Sequence, residues 1–379
     1  MNYYFTEIEE MVKNLFSEYV NKRIIPLRSE LDEKDEFPKE IFKEMAAQDF
    51  FRIMIPEEYG GMSDSIMVST LGIEELSRGD GGIGVTFAAH TITSKGIILY
   101  GNEEQKKKYL PGIADGELFT AFALTEPGAG SDAASLKTKA VKKGDSYVIN
   151  GTKQFITSGE IADICLVVAS TDPEKGYKGH SAFIVEKGTP GFSVGKKEDK
   201  MGIRSSVTNE LIFDDCIVSE KNILGSPGQG FYIALGLLDR SRIGIGAQAL
   251  GIAQAALDES INYSKLREQF GKTISQFQGI QFILADMGTS IEAARSIVYQ
   301  AARNVDSGEK ELTTGSAMAK LYATDMAMKV TTDAVQIFGG YGYMKEYPVE
   351  KMMRDAKVTQ IYEGTNQIQR IVIASKLLK

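Results

Sequence analysis

Hydrophobic and polar positions change period twice along the chain. To about residue 118 the spacing is helical: Ile8, Met11, Val12, Leu15, Phe16, Tyr19 and Val20 recur on one face. Thr6 followed by Glu9 reads as a capping box at the start of that helix. Phe37-Pro38 marks a second start ahead of Ile41, Phe42 and Met45, and helical spacing resumes over 69–76 and 83–100, beyond the Gly60-Gly61 break. From about 119 to 228 the runs are short and rich in β-formers, at 119–124, 147–149, 154–157, 164–169, 181–185 and 210–213. Asn150-Gly151 is a strong two-residue hairpin signal, and Lys143-Gly144-Asp145 and Thr189-Pro190-Gly191 mark further turns. No long helical pattern separates these strands, so an antiparallel barrel or sandwich is expected rather than a parallel sheet.

Beyond 229 the helical period returns in long segments, over about 231–267, 278–304 and 314–338, the last stopped by Gly339-Gly340. Long antiparallel helices of this kind predict a four-helix bundle. The second and third are apolar over more than one face, as expected if subunits also pack together. The fold class is therefore α+β and multidomain: a helical unit over 1–118, a β-unit over 119–228 and a helical bundle over 229–379.

Composition narrows the chemistry. A net charge of -8 disfavours nucleic acid as a main partner, because phosphate backbones need a basic face. The two histidines, His90 and His180, stand in no zinc or triad motif, so no metal site is expected and acid–base work falls on carboxylates. Cys165 lies in an apolar run and reads as a core thiol; Cys216 lies in an expected connection. No apolar stretch approaches a membrane span and the N-terminus lacks a signal-peptide pattern, so a cytoplasmic home is expected. Gly128-Ala-Gly-Ser-Asp-Ala133 superficially fits a dinucleotide-binding turn, but it leads into strands rather than a helix, and Asn150-Gly151 stands where an acidic residue is needed. Phe270-Gly-Lys-Thr273 looks like the end of a P-loop, but Leu266 occupies the required glycine position.

Three segments carry a more specific signal. They are Ala123-Leu-Thr-Glu-Pro-Gly-Ala-Gly-Ser-Asp132, Gln336-Ile-Phe-Gly-Gly-Tyr-Gly-Tyr343 with Arg354-Asp355 beyond it, and Ile361-Tyr-Glu-Gly-Thr-Asn366. Pro56-Glu-Glu-Tyr-Gly-Gly61, Gly101-Asn-Glu-Glu-Gln-Lys106 and Arg267-Glu-Gln-Phe-Gly-Lys272 accompany them. In this order, over essentially the whole chain, they resemble the acyl-CoA dehydrogenase family, closest in look to bacterial short-chain, butyryl-type members. The resemblance implies FAD as cofactor, an acyl-CoA substrate, a step of fatty acid β-oxidation, a homotetramer built as a dimer of dimers, and an electron-transferring flavoprotein as acceptor.

The resemblance also assigns residues. It lays the loop of Phe122, Leu124, Thr125, Gly130 and Ser131 along the flavin, with Thr125 bonding the ring and Ser131 near the pyrophosphate or the CoA. Small residues and backbone donors suit such a loop, although a Pro-Gly turn between strands would look alike. Phe155 packs on the flavin, where some relatives have Trp, and Thr157 contacts it. Arg267, Gln269 and Phe270, with Gln336, Ile337, Gly339 and Gly340, reach the FAD of the neighbouring subunit; a guanidinium fork matches phosphate oxygens. An arginine ending a helix and a Gly-Gly cap are also ordinary features. Thr365 and Gln367 are further cofactor positions, and Ser131, Asp239, Arg242, Tyr362 and Gly364 face the substrate. Short-chain relatives often carry two glycines where this chain has Arg240-Ser241.

Glu363 is the expected catalytic base. An acyl thioester α C–H is very weakly acidic, so a base must act together with stabilisation of the enolate oxygen. By itself Glu363 is only a carboxylate at a helix entrance, where the dipole welcomes it. The resemblance makes it the proton acceptor, matched by β-hydride transfer to the flavin, with trans-2-enoyl-CoA as product. The helix over 83–99, whose chargeable cations are His90 and Lys95, is expected to line the acyl pocket, and the resemblance to butyryl-type members implies a short- to medium-chain substrate. Branched, alicyclic or dicarboxylic acyl groups are the alternative, and an inactive acyl-CoA-binding scaffold is the reading from another class.

Overall fold

The computed structural model describes residues 3–379. α1 (Glu7–Tyr19) begins at the capping box: Thr6 Oγ1 accepts from Glu9 N, and Glu9 Oε2 accepts from Thr6 N. α2 (Arg28–Lys34) and α3 (Lys39–Ala47) follow, then the antiparallel pair α4 (Ile66–Gly79) and α5 (Gly81–Tyr100). Asp80 sits between the pair and caps α5, its Oδ1 accepting from Gly82 N and Ile83 N at 2.9 and 3.0 Å. α6 (Glu103–Ala114) closes the unit with its own capping box at Asn102.

Strands β1 (Thr120–Ala123), β2 (Lys139–Lys143), β3 (Ser146–Thr157), β4 (Ile164–Ser170), β5 (His180–Glu186), β6 (Phe192–Lys197), β7 (Thr208–Ser219) and β8 (Ile223–Leu224) form one sheet in the order β6-β7-β3-β2-β4-β5-β8, with β1 also on β4. Pairing is mainly antiparallel; β1 runs parallel to β4, from Thr120↔Ile164 to Ala123↔Val167. The Asn150-Gly151 hairpin does not form. β3 passes straight through these residues, pairing with β7 from Ser146↔Ser219 to Thr157↔Thr208, and the pair is a bulge where the register shifts. Asn150 is tied to Asp215 in both directions instead, and a Cβ on Gly151 would come 2.5 Å from Thr138 Oγ1. The turn lies at Gly144-Asp145, with Gly144 at φ 63. Long pairing with β7 outweighs the local turn preference. Cys216, expected in a connection, lies within β7 and is buried in the sheet core beside Phe213 and Val218.

α7 (Gly230–Leu266) is 37 residues long and serves as the wall shared by the helical units. A short hairpin, β9 (Glu268–Gln269) and β10 (Lys272–Thr273), leads to α8 (Gln278–Asp306), α9 (Thr313–Phe338), α10 (Val349–Thr359) and α11 (Asn366–Leu377). α7 lies against α8 and α9 on one side and α4 and α5 on the other. Glycines allow the close approach: a Cβ on Gly251 would stand 2.1 Å from Glu74 O, and one on Gly246 2.9 Å from Val298. No helix among the described residues is long and apolar enough to cross a membrane.

The three units meet at a buried charge cluster. Lys351 Nζ lies 2.8 Å from Asp80 Oδ2 and 2.5 Å from Asp355 Oδ2. Asp80 also takes a short hydrogen bond from Ser205, and Asp355 accepts from Ile203 N. Burial opposes the charge on Lys351, but the two carboxylates outweigh it and hold its pKa above the ordinary lysine value. Replacing Lys351 by Met would leave two buried carboxylates facing each other. We expect Lys351→Met to lower unfolding free energy by about 3–5 kcal/mol at neutral pH, with the deficit shrinking as acid protonates the carboxylates. Urea denaturation of wild type and variant at two pH values checks this.

Candidate active site

A cleft lies between α4, α5 and α7 and is closed by the segment after α10. Ile66 and Ile73 of α4, Val85, Ala88 and Ile92 of α5, and Leu237, Gly244 and Ile245 of α7 form its apolar wall. Thr157, at the end of β3, and Tyr362 and Glu363 complete it, so one of the expected flavin contacts and the expected base line one cavity.

Glu363 reaches the cavity through an unusual backbone. It and Gly364 are both left-handed, at φ 53 and 86, between α10 and α11. A non-glycine residue held there marks a conformation fixed by its surroundings. Those surroundings are identifiable. Lys320 of α9, fully buried, donates to Gly364 O at 2.9 Å and Asn366 Oδ1 at 2.8 Å. Gln369 donates to Glu363 O at 3.2 Å and Gly364 O at 2.8 Å, and Thr365 caps α11 by accepting from Ile368 N. Tyr362 donates a short hydrogen bond to Gln248, which in turn donates to Gly81 O.

Electrostatics follow from the same contacts. Burial raises the pKa of the Glu363 carboxyl; a hydrogen bond from Ser241 and the nearby charges of Arg242 and Lys320 act the other way but do not cancel it. Ser241 Oγ lies 2.5 Å from Glu363 Oε2. Burial depresses Lys320 to about 7, with Glu363 and Asp325 partly restoring its charge. Asp239 and Arg242 lie together on α7, 2.5 Å apart, and Thr313 donates to the other Asp239 oxygen at 2.8 Å.

The loop after β1 is held from within. Buried Lys153 donates to Leu124 O at 2.9 Å and pairs with Glu126 at 2.7 Å, and Glu126 also accepts from Lys137 N and Thr138 N. Gln154 N donates to Thr125 O, drawing the loop against β3. Phe122 and Leu124 pack with Ala234 and Leu238 of α7, whereas Gly130 and Ser131 are exposed at the tip. Phe155 is left-handed, at φ 58, and 62% exposed beside this loop. An exposed aromatic, open space around Gly128 and Gly130, and Thr157 in the lining of the Glu363 cleft fit a flat, partly apolar ring such as a flavin.

The remaining residues expected to contact the cofactor lie elsewhere. Arg267, Gln269, Ile337, Gly339 and Gly340 line a second recess of about 870 Å3, with the Arg267 guanidinium over the Tyr341 ring at 5.4 Å. Phe270 is 95% exposed, Gln336 is exposed, and Gln367 lies on the outer side of α11. Gln336 is sixteen residues from Lys320 along α9, about 24 Å at about 1.5 Å per residue. One chain therefore does not gather all the expected flavin contacts around its own Glu363.

Reading the sequence left out Ser241's bond to the carboxylate, Lys153, Glu126, Lys320 and Gln369. Lys320 had a signal: it is the lone charge on the face of Ala317, Ala323, Thr324 and Ala327. Lysine in an unfolded chain titrates near 10.4, so stability should rise with pH above about 7 as the folded state sheds this proton first. Urea denaturation between pH 7 and 9 is expected to show a rise for wild type that is shallower in Lys320→Met, by up to about 1.4 kcal/mol per pH unit.

Comparison with known proteins gives the arrangement its relatives. Residues 6–117, 121–216 and 228–378 match the N-terminal, middle and C-terminal domains described for acyl-CoA dehydrogenases. The chain is 51% identical to an acyl-CoA dehydrogenase of Bacillus subtilis (strain 168), over 98% of both chains. The structure of butyryl-CoA dehydrogenase from Megasphaera elsdenii is 47% identical with a TM-score of 0.98 and full coverage of both chains. A chain solved in work on the electron-transferring flavoprotein of Acidaminococcus fermentans and flavin-based electron bifurcation is 51% identical, also at TM-score 0.98 with full coverage.

Proposed function

This chain belongs to the acyl-CoA dehydrogenase family, and we propose that Glu363 is the base with which it takes the α-proton of a short- to medium-chain acyl-CoA. The observation that carries the reading is the placement of Glu363: a desolvated carboxyl in an apolar cleft that Thr157 also lines, on a turn secured by Lys320 and Gln369. The family depends on FAD, and its members dehydrogenate acyl-CoA thioesters.

The chain's own residues do the following work. The apolar wall from Val85 to Ile92 and from Leu237 to Ile245 receives the acyl chain and excludes water, which strengthens every charge interaction at the reacting carbons. The turn at Glu363 presents its carboxylate to the α-carbon, and its backbone N–H is offered to the thioester carbonyl. As the α C–H bond breaks, the proton passes to a Glu363 oxygen; the carboxyl's raised pKa favours that transfer. FAD, when bound, would supply the hydride acceptor for the β-carbon. Phe122, Leu124, Thr125, Gly130, Ser131, Phe155 and Thr157 hold its ring and pyrophosphate, and Asp239 and Arg242 hold the CoA. The product is a trans-2-enoyl-CoA.

The second recess is read as the binding surface for the adenosine diphosphate of a neighbour's FAD, through Arg267, Gln269 and Gly339-Gly340, because it is far from the chain's own Glu363. That requires an oligomer, and a dimer of dimers satisfies it. An electron-transferring flavoprotein is proposed as acceptor, since a 51% identical chain was solved in work on one.

Anaerobic bleaching of the flavin band by acyl-CoAs tests the reading. Butyryl- to hexanoyl-CoA are expected to bleach fastest, and the wild-type rate to fall as acid protonates Glu363 through its raised pKa. Glu363→Gln is expected to bind ligand without bleaching; rapid bleaching would remove Glu363 as base. Arg267→Ala is expected to weaken FAD retention roughly 10- to 100-fold, from the loss of charged hydrogen bonds. Dialysis followed by flavin quantitation reads it, and full retention would exclude the cross-subunit role.

A further inference from the structure

We infer that Ser241 is a positioning residue for Glu363. Its hydroxyl holds the carboxylate in the cleft before reaction and turns to a backbone carbonyl once that carboxylate carries a proton. The inference rests on Glu363 acting as the base.

The bond to a charged acceptor sets Ser241, half-buried on α7, apart from three buried helical serines. Ser77, Ser94 and Ser260 each give their hydroxyl proton to the carbonyl four residues back, at 2.6, 2.7 and 2.7 Å. Ser241 Oγ has two acceptors for its one proton: Leu238 O at 3.2 Å and Glu363 Oε2 at 2.5 Å. The carboxylate is closer and charged, so it takes the proton while ionised. A protonated Glu363 needs an acceptor instead. Rotation about the Ser241 Cβ–Oγ bond then sends the hydroxyl proton to Leu238 O and offers a lone pair to the new Glu363 O–H. Both states are satisfied without movement of the backbone.

None of the cations around Glu363 hydrogen-bonds its carboxylate among the described residues, and Ser241 does. From α7, Arg242 gives Nη1 to Asp239, leaves its buried Nε without a partner and acts on Glu363 through its charge alone, and Arg240 donates to Gly236 O. From α9, Lys320 is bound to Gly364 O and Asn366, and from α5, Lys95 donates to Asp64 O. The phenol of Tyr362 is given to Gln248. Among the described residues, the one hydrogen bond to the Glu363 carboxylate comes from Ser241. Its position in α7, a helix packed on both sides, gives that donor a fixed origin.

The test compares wild type, Ser241→Ala, Ser241→Thr and Glu363→Gln as FAD-loaded enzyme, following flavin bleaching by butyryl-CoA across pH. Without the hydroxyl, the ionised carboxylate loses its donor and protonates more readily. Ser241→Ala is therefore expected to bleach roughly tenfold more slowly than wild type on the acid side, with the deficit narrowing as pH rises, and Ser241→Thr to recover most of it. A Ser241→Ala profile that superimposes on wild type, or a deficit equal at every pH, overturns the proposal. Infrared spectroscopy of FAD-loaded protein without substrate supplies a readout apart from turnover. The protonated carboxyl band that Glu363→Gln lacks should appear at higher pH in Ser241→Ala, and an unchanged midpoint also overturns the proposal. If Ser241→Ala fails to load FAD, Ser241→Gly takes its place in both measurements. Rapid bleaching by Glu363→Gln would instead remove the base itself, an outcome separate from any result at Ser241.

Discussion

A single ammonium group, that of Lys351, lies between the carboxylates of Asp80 and Asp355 at the point where both sets of helices and the sheet meet. Each carboxylate has a second task. Asp80 caps the first turn of α5, whose side chains line the cleft, and Asp355 receives the backbone N–H of Ile203 from the segment between β6 and β7. α10, which carries both Lys351 and Asp355, runs on toward Tyr362 and Glu363. One wall of the cleft, the segment between β6 and β7 and the helix leading to the turn that bears Glu363 thus share one charged anchor. Buried charges of this kind add little net stability beside an apolar replacement, but they tolerate few alternative geometries. Their worth here lies in fixing the angle between parts that are far apart in sequence.

The same device appears twice more. Lys153 and Lys320, like Lys351, are almost wholly removed from solvent, and each holds a piece of irregular backbone through oxygen atoms. Lys153 gathers Leu124 O and Glu126 and so shapes the loop after β1; Lys320 gathers Gly364 O and Asn366 and so shapes the turn at Glu363. Irregular segments cannot satisfy their own carbonyls as helices and strands do. A long side chain arriving from a regular element supplies the missing donor, and a rigid strand or helix thereby dictates the conformation of a loop. The apolar wall of the cleft is helical, from α4, α5 and α7, whereas the turn that bears Glu363 and the loop after β1 are positioned by α9 and β3.

Much of this architecture is readable from periodicity, because amphipathic helices announce the face they bury. The three units, the capping box at Thr6 and the end of α9 at Gly339 all rest on local chemistry that neighbours in sequence supply. Glu363 was readable only as a carboxylate at a helix start; the ordered motifs gave it a role, and the fold adds that it is left-handed, desolvated and bonded to Ser241. What local reading misses is whatever depends on contacts distant along the chain. Ser241 and Glu363 are separated by 122 positions, and Lys153 and Glu126 by 27. Asn150-Gly151 misleads for the same reason, since the pairing of β3 with β7 that overrides it is invisible from four residues.

That bulge has a consequence for how the protein ages. Asn-Gly is a chemically fragile pair in a mobile loop, where the glycine N–H can swing round to attack the asparagine amide and release ammonia. Here the strand on either side is paired, the Asn150 carbonyl oxygen accepts from Asp215 N, and its amide nitrogen donates to Asp215 Oδ1. The side chain is clamped at both ends and the backbone cannot rotate to meet it. A residue pair that would ordinarily limit the lifetime of a protein in the cell is thereby sheltered, for as long as the sheet stays folded around it.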